Sequence, residues 1–440
     1  MDRGGVAAGG PFARKPLARA PPLRRDLGVN SMPEEGRSAR YLRTAEYLGL
    51  HRDLAVLLVA ILLLGAGEEL WSRFLPKYLE ALGASALIIG LFGTLKDLLD
   101  ALYQYPGGMI SDRVGNRGAL VVFSLLAALG YAIYVVFPSW QGIFVGTVFV
   151  AAWSSLSLPA TFSIIGGSLP ATKRAMGFAV QSIIRRVPII IGPPLGGALI
   201  AALGVRHGVR VGIVVSIVMA LGSIFFQRRY YSKSADAQRD ATEQKPNPMA
   251  LVRELHPGLK RLLWADILAR LAEGIPKQFI VLYALNLLKA TAPQFGALTA
   301  LSMAVSIAVY VPLARLADRS SNRDPYIALT FLFFALSPLF VVLSQNVLML
   351  GAAFVVMGLR EIAEPARKAM IVDLANERRR ATDVGVYYAL RQFSVLPASL
   401  IGGLLWGVSP QTPFWVAFAV GIAGALAFAL SSGRTKSHRG

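Results

Sequence analysis

The sequence contains no cysteine and only four scattered histidines, which are His51, His207, His256 and His438. Without cysteine there is no disulfide, no thiol nucleophile and no thiolate ligand, and four distant histidines do not form a metal-binding pattern. The chain also lacks a Gly-x-x-x-x-Gly-Lys-Ser/Thr run, so a phosphate-binding loop for ATP is not expected. We therefore expect no metal and no cofactor, and no group of residues indicates an enzyme.

Charged residues are scarce as well, at 16% of the chain, whereas hydrophobic residues make up 55%. A mean hydropathy of +0.53 is too high for a soluble protein of 440 residues. The net charge of +20 can indicate nucleic-acid binding. Most Lys and Arg, however, stand between apolar runs of about 20 residues, which is the pattern of membrane topology. The expected partner is a lipid bilayer, and no nucleic acid is expected.

Twelve apolar segments follow one another, and together they predict an all-α polytopic membrane protein with about twelve transmembrane helices. Segments 1 to 12 cover residues 54–80, 84–106, 118–138, 141–166, 176–204, 209–227, 262–288, 293–314, 325–344, 346–366, 382–407 and 412–431. The predicted organisation is a basic arm (1–52), a six-helix bundle (53–227), a basic central loop (228–261), a second six-helix bundle (262–432) and a short tail (433–440).

Basic residues cluster in alternate loops, and such loops are retained on the cytoplasmic side. We therefore predict a protein of the cytoplasmic (inner) membrane with both termini in the cytoplasm. The first 52 residues are rich in Arg, Pro, Gly and Ala and have no apolar run, which excludes a secretory signal. They are interpreted as a disordered arm. The alternatives are an organelle transit peptide, or untranslated sequence before a start at Met32.

An internal repeat relates the two predicted bundles. Residues 111–117 and 317–323 share four identities at an offset of 206, and the same offset recurs in later segments, while segments 1 and 7 are related by an offset of 205. The pairs are Asp112/Asp318, Arg113/Arg319, Asn116/Asn322, Arg117/Arg323, Arg185/Arg391, Gly196/Gly402, Gly197/Gly403 and Glu68/Glu273. Such a repeat predicts two homologous halves with a binding site at their interface.

The loop after segment 2 reads Gly-Met-Ile-Ser-Asp-Arg-Val-Gly-Asn-Arg over residues 108–117. It resembles the signature loop of the major facilitator superfamily, Gly-x-Leu-Ala-Asp-Arg-x-Gly-Arg-Lys. The resemblance implies a monomeric secondary transporter that works by alternating access. It also implies a cytoplasmic gate, formed by Gly108, Asp112, Arg113, Gly115 and Arg117, with a degenerate second copy at Asp318, Arg319 and Arg323. The alternative is that these residues only fix the topology.

Segment 5 contains the run Gly192-Pro193-Pro194-Leu195-Gly196-Gly197. It resembles the Gly-Pro-x-x-Gly-Gly element of antiporters in the same superfamily, which implies export; generic helix packing is the alternative. Many proton-coupled exporters of the superfamily carry an intramembrane arginine in segment 4, where this chain has Trp153, Ser154 and Ser155. Arg185 or Arg360 would have to take that role.

Ionisable residues inside the segments are candidates for proton or substrate sites, because a charge in hydrocarbon is costly without a partner or a cavity. The candidates are Glu68, Glu69, Arg73, Asp97, Asp100, Arg185, Arg270, Glu273, Lys277, Arg360, Glu361, Glu364 and Arg391. Spacing of i and i+4 predicts the pairs Glu69/Arg73 and Lys96/Asp100. Glu68 and Asp97 are left without a local counter-ion.

Segment 7 carries charges of alternating sign on one helical face, from Asp266 through Arg270 and Glu273 to Lys277. This face is either a self-neutralising ladder or a lining for a charged substrate. The first hypothesis is proton-coupled efflux of a small organic solute, with Glu68, Asp97 and Glu273 as titrating groups. The alternatives are uptake or exchange of an anionic metabolite bound by the arginines, and a non-transporting receptor on the same scaffold. The substrate itself is not predicted.

Overall fold

A computed structural model describes residues 52–157, 160–161, 164–165, 174–231, 255–319, 324–362, 364–376 and 380–436. The predicted N-terminal arm, most of the predicted central loop and the end of the tail lie outside these residues. Within them the chain forms helices and connecting turns, without a strand. All twelve predicted segments fall on helices of the structure.

In the N-terminal half, segment 1 is interrupted by a 3-10 turn and segment 4 contains a wider π-helical stretch. Segments 5 and 6 form two helices, which together cover Arg174–Tyr230 and meet at Gly204, where a φ of +76° and a ψ of 165° interrupt the helical backbone. The helices of segments 1 to 6 are Arg52–Glu69, Ser72–Phe74 and Leu75–Ala81; Ala86–Val114; Asn116–Val136; Trp140–Ala151 and Ala152–Leu156; and Arg174–Tyr230.

In the C-terminal half, segments 7, 10 and 11 are each broken near the middle. The helices of segments 7 to 12 are Pro257–Gly274, Ile280–Leu282 and Tyr283–Leu287; Ala292–Arg319; Asp324–Leu343; Val347–Leu359 and Glu364–Leu374; Arg380–Val395 and Ala398–Val408; and Thr412–Lys436. Six helices of the described residues are long and apolar enough to cross a membrane, and segments 4 and 10 add shorter apolar helices.

Polar residues mark several helix starts. The side chain of Ser139 accepts a hydrogen bond from the Gly142 amide at 3.1 Å, and that of Asn346 accepts one from the Met349 amide at 3.0 Å. These caps satisfy amides that have no partner within the helix. Gly115 separates segments 2 and 3 with a φ of +82°, a conformation that favours glycine. The predicted signature loop is therefore mostly helical: its residues before Gly115 end one helix, those after Gly115 begin the next, and only Gly115 lies between the two.

Paired glycines bring helices together within each half. A Cβ atom on Gly196 would lie 1.7 Å from the carbonyl oxygen of Leu70, and one on Gly402 would lie 2.0 Å from that of Ile275. No side chain fits at either position, so segment 5 lies directly on segment 1, and segment 11 on segment 7. The two contacts are repeat equivalents of each other.

The glycines that directly follow this pair in the sequence, Gly197 and Gly403, form contacts between the halves. A Cβ atom on Gly197 would lie 2.4 Å from the carbonyl oxygen of Ala292, and one on Gly403 would lie 2.7 Å from that of Ala86. Segments 5 and 8 therefore cross closely, as do segments 11 and 2. Because these contacts also follow the repeat, the halves are related by pseudo-two-fold symmetry and meet at the end of the bundle that carries the loop between segments 1 and 2.

Candidate transport site

Two cavities lie among the charged segments. The first, the N-terminal cavity, has a volume of about 230 Å³ and is lined by segments 1, 4 and 5. The second, the C-terminal cavity, has a volume of about 590 Å³ and is lined by segments 2, 7, 10 and 11. The charged residues lining the first are Glu68, Glu69 and Arg185; those lining the second are Asp97, Arg270, Glu273, Lys277, Glu364, Lys368 and Arg391.

The repeat shows that the cavities occupy equivalent places in the two halves. Glu68 corresponds to Glu273, and Arg185 corresponds to Arg391. The other charges differ, because Ile61, Gly65 and Ser154 of the N-terminal half stand where the C-terminal half has Asp266, Arg270 and Arg360. At these three positions the C-terminal half therefore has charged residues, whereas the N-terminal half has uncharged ones.

Glu273 is held by two arginines. Arg270 Nη1 lies 2.9 Å from Glu273 Oε2, and Arg360 Nη1 lies 3.4 Å from Glu273 Oε1. Both guanidinium groups also lie over the ring of Phe334, at 5.0 Å and 5.3 Å from its centroid. Such cation–π contacts and ion pairs offset the cost of burying charge. The proposed titration of Glu273 is therefore opposed by two close cations.

Arg367 is the centre of a second, fully buried cluster. Its side chain is 1% exposed and donates to Asp266 and to both carboxylate oxygens of Glu364. The hydroxyl of Tyr387 donates to Asp266 at 2.9 Å. Arg391 Nη1 approaches the same carboxylate at 3.4 Å and lies over the ring of Tyr388, 4.7 Å from the centroid.

The predicted ladder on segment 7 is extended by other segments. Arg270 Nε lies 3.8 Å from Asp266 Oδ1, and Arg270 Nη2 lies 3.6 Å from Glu364 Oε2 of segment 10. Lys277 does not continue the ladder, because its Nζ lies 3.2 Å from Asp97 Oδ1 of the N-terminal half. The face is thus neutralised largely by residues outside its own helix.

In segment 2, the partner of Asp100 in the structure differs from the partner predicted from the sequence. Asp100 accepts a hydrogen bond from Ser155 Oγ, and no ion pair joins Lys96 to Asp100 among the described residues. The predicted Lys96/Asp100 pair is therefore wrong. Ser155 lies in the π-helical stretch Ala152–Leu156, where an extra residue in the turn changes the direction of neighbouring side chains. Asp97, which lacks a local counter-ion, finds Lys277 across the interface.

The predicted Glu69/Arg73 pair is confirmed, with Arg73 donating to both carboxylate oxygens at 2.9 Å and 3.1 Å. Glu68 and Arg185 have neither a hydrogen bond nor an ion pair with any described residue. Both side chains line the N-terminal cavity. Among the carboxylates that line the two cavities, Glu68 alone lacks an ion pair to the described part of the chain.

Asp100 and Glu361 are the other candidate carboxylates without an ion pair to the described residues, but they line neither cavity. The signature loop is described in part: Arg117 pairs with Asp53 of its own half at 2.8 Å, and Arg113 is exposed. The positions outside the described side chains are Gly108, Asp112, Asp318, Arg319 and Arg323. The gating role of this loop stays a prediction.

A sequence model of the Major Facilitator Superfamily matches residues 57–272 and, as a second copy, residues 262–440. The chain belongs to the major facilitator superfamily. An uncharacterized transporter of this superfamily from Methanocaldococcus jannaschii is 24% identical over 375 residues, which cover 79% of this chain and 86% of the relative. The quinolone resistance protein NorA of Staphylococcus aureus is 23% identical over 148 residues, 34% of this chain and 38% of its own length.

Solved structures show the same fold. The nucleoside transporter NupG superposes with a TM-score of 0.71 over 86% of this chain and 99% of its own, at 12% identity. The two-bundle arrangement, the apolar helices and the family together establish an integral membrane transporter of the superfamily. They point to transport and away from an enzyme.

One contact of this superfamily member was missed by the sequence analysis. Asn286 Nδ2 donates to Glu80 Oε1 at 2.7 Å, and Lys77 Nζ donates to both side chains. Glu80 stands at the end of segment 1 and Asn286 near the end of segment 7, so this contact joins the two halves. Residues so far apart in the sequence have no local spacing that could have identified it.

Proposed function

We propose that the protein exports a small organic solute in exchange for protons, as a secondary active transporter of the cytoplasmic membrane. The observation that carries this proposal is Glu68, a cavity-lining carboxylate without an ion pair among the described residues. Its repeat equivalent Glu273 has two arginines as counter-ions. Glu68 is therefore the carboxylate that can exchange a proton with the least disturbance of the surrounding network.

The coupling follows from the cost of charge within a membrane. An ionised carboxylate away from water is destabilised unless a proton or a cation neutralises it. If substrate binding displaces the proton from Glu68, the same site carries protons in one direction and substrate in the other. Competition at one carboxylate thus produces antiport, and the gradient of protons drives the export.

The interface between the halves supports alternating access. The glycine contacts of segments 5/8 and 2/11, together with the Lys77/Glu80/Asn286 contact, lie at the end that the predicted topology places outside. We assign the structure to a state that is closed to the outside. Bundles 53–227 and 262–432 would rock about the central cavities, with loop 228–261 and both termini in the cytoplasm and no second subunit needed.

The likeness to NorA supports export, since that protein's name states resistance to quinolones. The likeness covers about a third of each chain and carries no further information on the substrate. A second candidate function is uptake or exchange of an anionic metabolite. It is favoured by the C-terminal cavity, where Lys368 is 55% exposed and Arg391 shares its single carboxylate with Arg367 and Tyr387.

Transport by the purified full-length protein in proteoliposomes tests the proposal. An imposed pH gradient should accelerate movement of at least one compound from a panel of dyes, drugs and organic anions, in the direction opposite to the protons. Collapse of the gradient with a protonophore should remove the acceleration, and protein-free liposomes should show none. Transport of organic anions that is indifferent to the gradient would favour the second candidate and contradict the first.

A further inference from the structure

We infer that the N-terminal cavity binds both charged ends of a small zwitterion, with Glu68 receiving its ammonium group and Arg185 its carboxylate. The inference rests on the proposed function for the view that this cavity lies on the transport path. Its basis is a juxtaposition: two side chains of opposite charge line one cavity of about 230 Å³, yet they form no ion pair with each other.

The unpaired state of these two residues contrasts with the other charged residues that line the cavities, each of which has an ion pair in the described part of the chain. Glu69 is bound by Arg73, and Arg391, the equivalent of Arg185, contacts Asp266 and the ring of Tyr388. An uncompensated charge inside a membrane is costly, so natural sequences keep such charges where function needs them. Glu68 and Arg185 line the same cavity without forming an ion pair with each other. A ligand that carries both charges neutralises both groups.

A ligand of one charge does not satisfy the cavity. A simple amine would neutralise Glu68 but leave Arg185 uncompensated, and a simple carboxylate would do the reverse. Lys96 of segment 2 is not among the residues that line the cavity. Each charged end of a zwitterion gains a charge-assisted hydrogen bond, and these are the strong hydrogen bonds of proteins.

The remaining lining accommodates a compact organic body. Gly65 stands where the other half has Arg270, and it packs closely on Pro188, since a Cβ atom there would lie 3.2 Å from Pro188 Cγ, so no long side chain enters the cavity from this position. Trp153 also lines the cavity and supplies an aromatic ring of the kind that binds ammonium groups. A small amino acid or a similar amino-carboxylate therefore fits the charge and the size of the cavity. Its ammonium group competes with the proton at Glu68, which is the competition that antiport requires.

Equilibrium binding to the full-length protein in detergent tests the inference without any transport step. The probes are leucine and 5-aminopentanoate, together with their one-charge analogues 4-methylpentanoate, isopentylamine, pentanoate and pentylamine. We expect at least one zwitterion to bind about tenfold or more tightly than both of its analogues, since it gains a second charged hydrogen bond. Equal binding by an analogue, or no binding by either zwitterion, overturns the inference.

Two variants assign the ends of the ligand. Glu68→Gln should remove the preference for the zwitterion over the carboxylate analogue, and Arg185→Gln should remove its preference over the amine analogue. Arg229→Gln, on segment 6 and outside the cavity, is the matched control and should keep both preferences. Preferences that survive in both cavity variants place the ligand elsewhere and overturn the inference.

The two proposals fail in different ways. Selective zwitterion binding without gradient-driven transport would leave the binding inference intact and contradict proton coupling. Gradient-driven transport of another compound, without selective zwitterion binding, would leave proton coupling intact and overturn the inference.

Discussion

The two cavities of this transporter occupy equivalent places in a duplicated fold but treat charge in opposite ways. In the C-terminal half, Glu273 is neutralised by Arg270 and Arg360. In the N-terminal half, Gly65 and Ser154 stand at the positions of those arginines, and Glu68 has no ion pair to a described residue. The comparison teaches that equivalent carboxylates of a repeat can be held by ion pairs in one copy and left without one in the other.

The difference follows from which residues surround each carboxylate. Removal of one member of a buried ionic network strongly destabilises the fold, because another buried charge is left uncompensated. The cluster around Arg367 and Asp266 is of this kind. An isolated charge that faces a cavity can change its partner at lower cost. We therefore expect substitutions in the C-terminal network to affect stability and substitutions in the N-terminal cavity to affect coupling.

The largest expected effect is on stability, at Arg367. Arg367→Met should lower the free energy of unfolding by about 3 to 5 kcal/mol, because Asp266 and Glu364 lose their common buried counter-ion. Arg185→Met should cost far less, since no ion pair is broken among the described residues. Thermal or denaturant unfolding of both variants in detergent measures the difference. Equal losses of stability would remove the distinction between the two cavities.

A smaller effect is expected where the helices of each half touch. Gly402→Ala should destabilise the protein by about 1 to 3 kcal/mol, because the new methyl group overlaps the carbonyl oxygen of Ile275. Gly407→Ala, five residues further along segment 11, is the control, since its Cβ meets no atom within 4 Å. Unfolding of the two variants in the same detergent compares them. If Gly402→Ala is as stable as Gly407→Ala, the close helix contact is not formed.

A counter-ion introduced into the N-terminal cavity by substitution tests whether the missing ion pair of Glu68 accounts for the difference between the two cavities. Ser154→Arg supplies the equivalent of Arg360 and should pair with Glu68. We expect transport driven by a pH gradient to fall about tenfold, as expected if about 1.4 kcal/mol of new ion-pair energy opposes each protonation. Ser154→Gln introduces a long side chain without charge and should retain the coupling. An equal loss in both variants would indicate that bulk, and not charge, is responsible.

The smallest effect is expected at the edge of the same cavity. The side chain of Arg73 is 41% exposed, and its pair with Glu69 joins the end of helix Arg52–Glu69 to the 3-10 turn that follows it. Arg73→Gln should change the free energy of unfolding by less than about 1 kcal/mol, as is usual for exposed pairs of this spacing. A loss close to that of Arg367→Met would show that local pairs in this half are as structural as the C-terminal network.

Local spacing and repetition predicted part of this arrangement. Hydropathy located all twelve helical segments, the offsets of 205 and 206 related the halves, and i,i+4 spacing predicted the Glu69/Arg73 pair. The same spacing failed for Lys96 and Asp100, because Ser155 of a neighbouring helix takes the carboxylate. Contacts such as Asp97/Lys277 join helices that are distant in sequence. They depend on how the helices pack, which a single sequence does not specify.

The role of Glu68 is tested most directly by comparing two equivalent substitutions in one assay. Glu68→Gln and Glu273→Gln are each reconstituted into proteoliposomes, and transport of the same substrate is measured with and without an imposed pH gradient. We predict that Glu68→Gln loses the acceleration by the gradient, whereas Glu273→Gln keeps it in whatever fraction of the protein remains folded. Full acceleration in Glu68→Gln, or its loss in Glu273→Gln alone, would contradict the assignment of coupling to the N-terminal half.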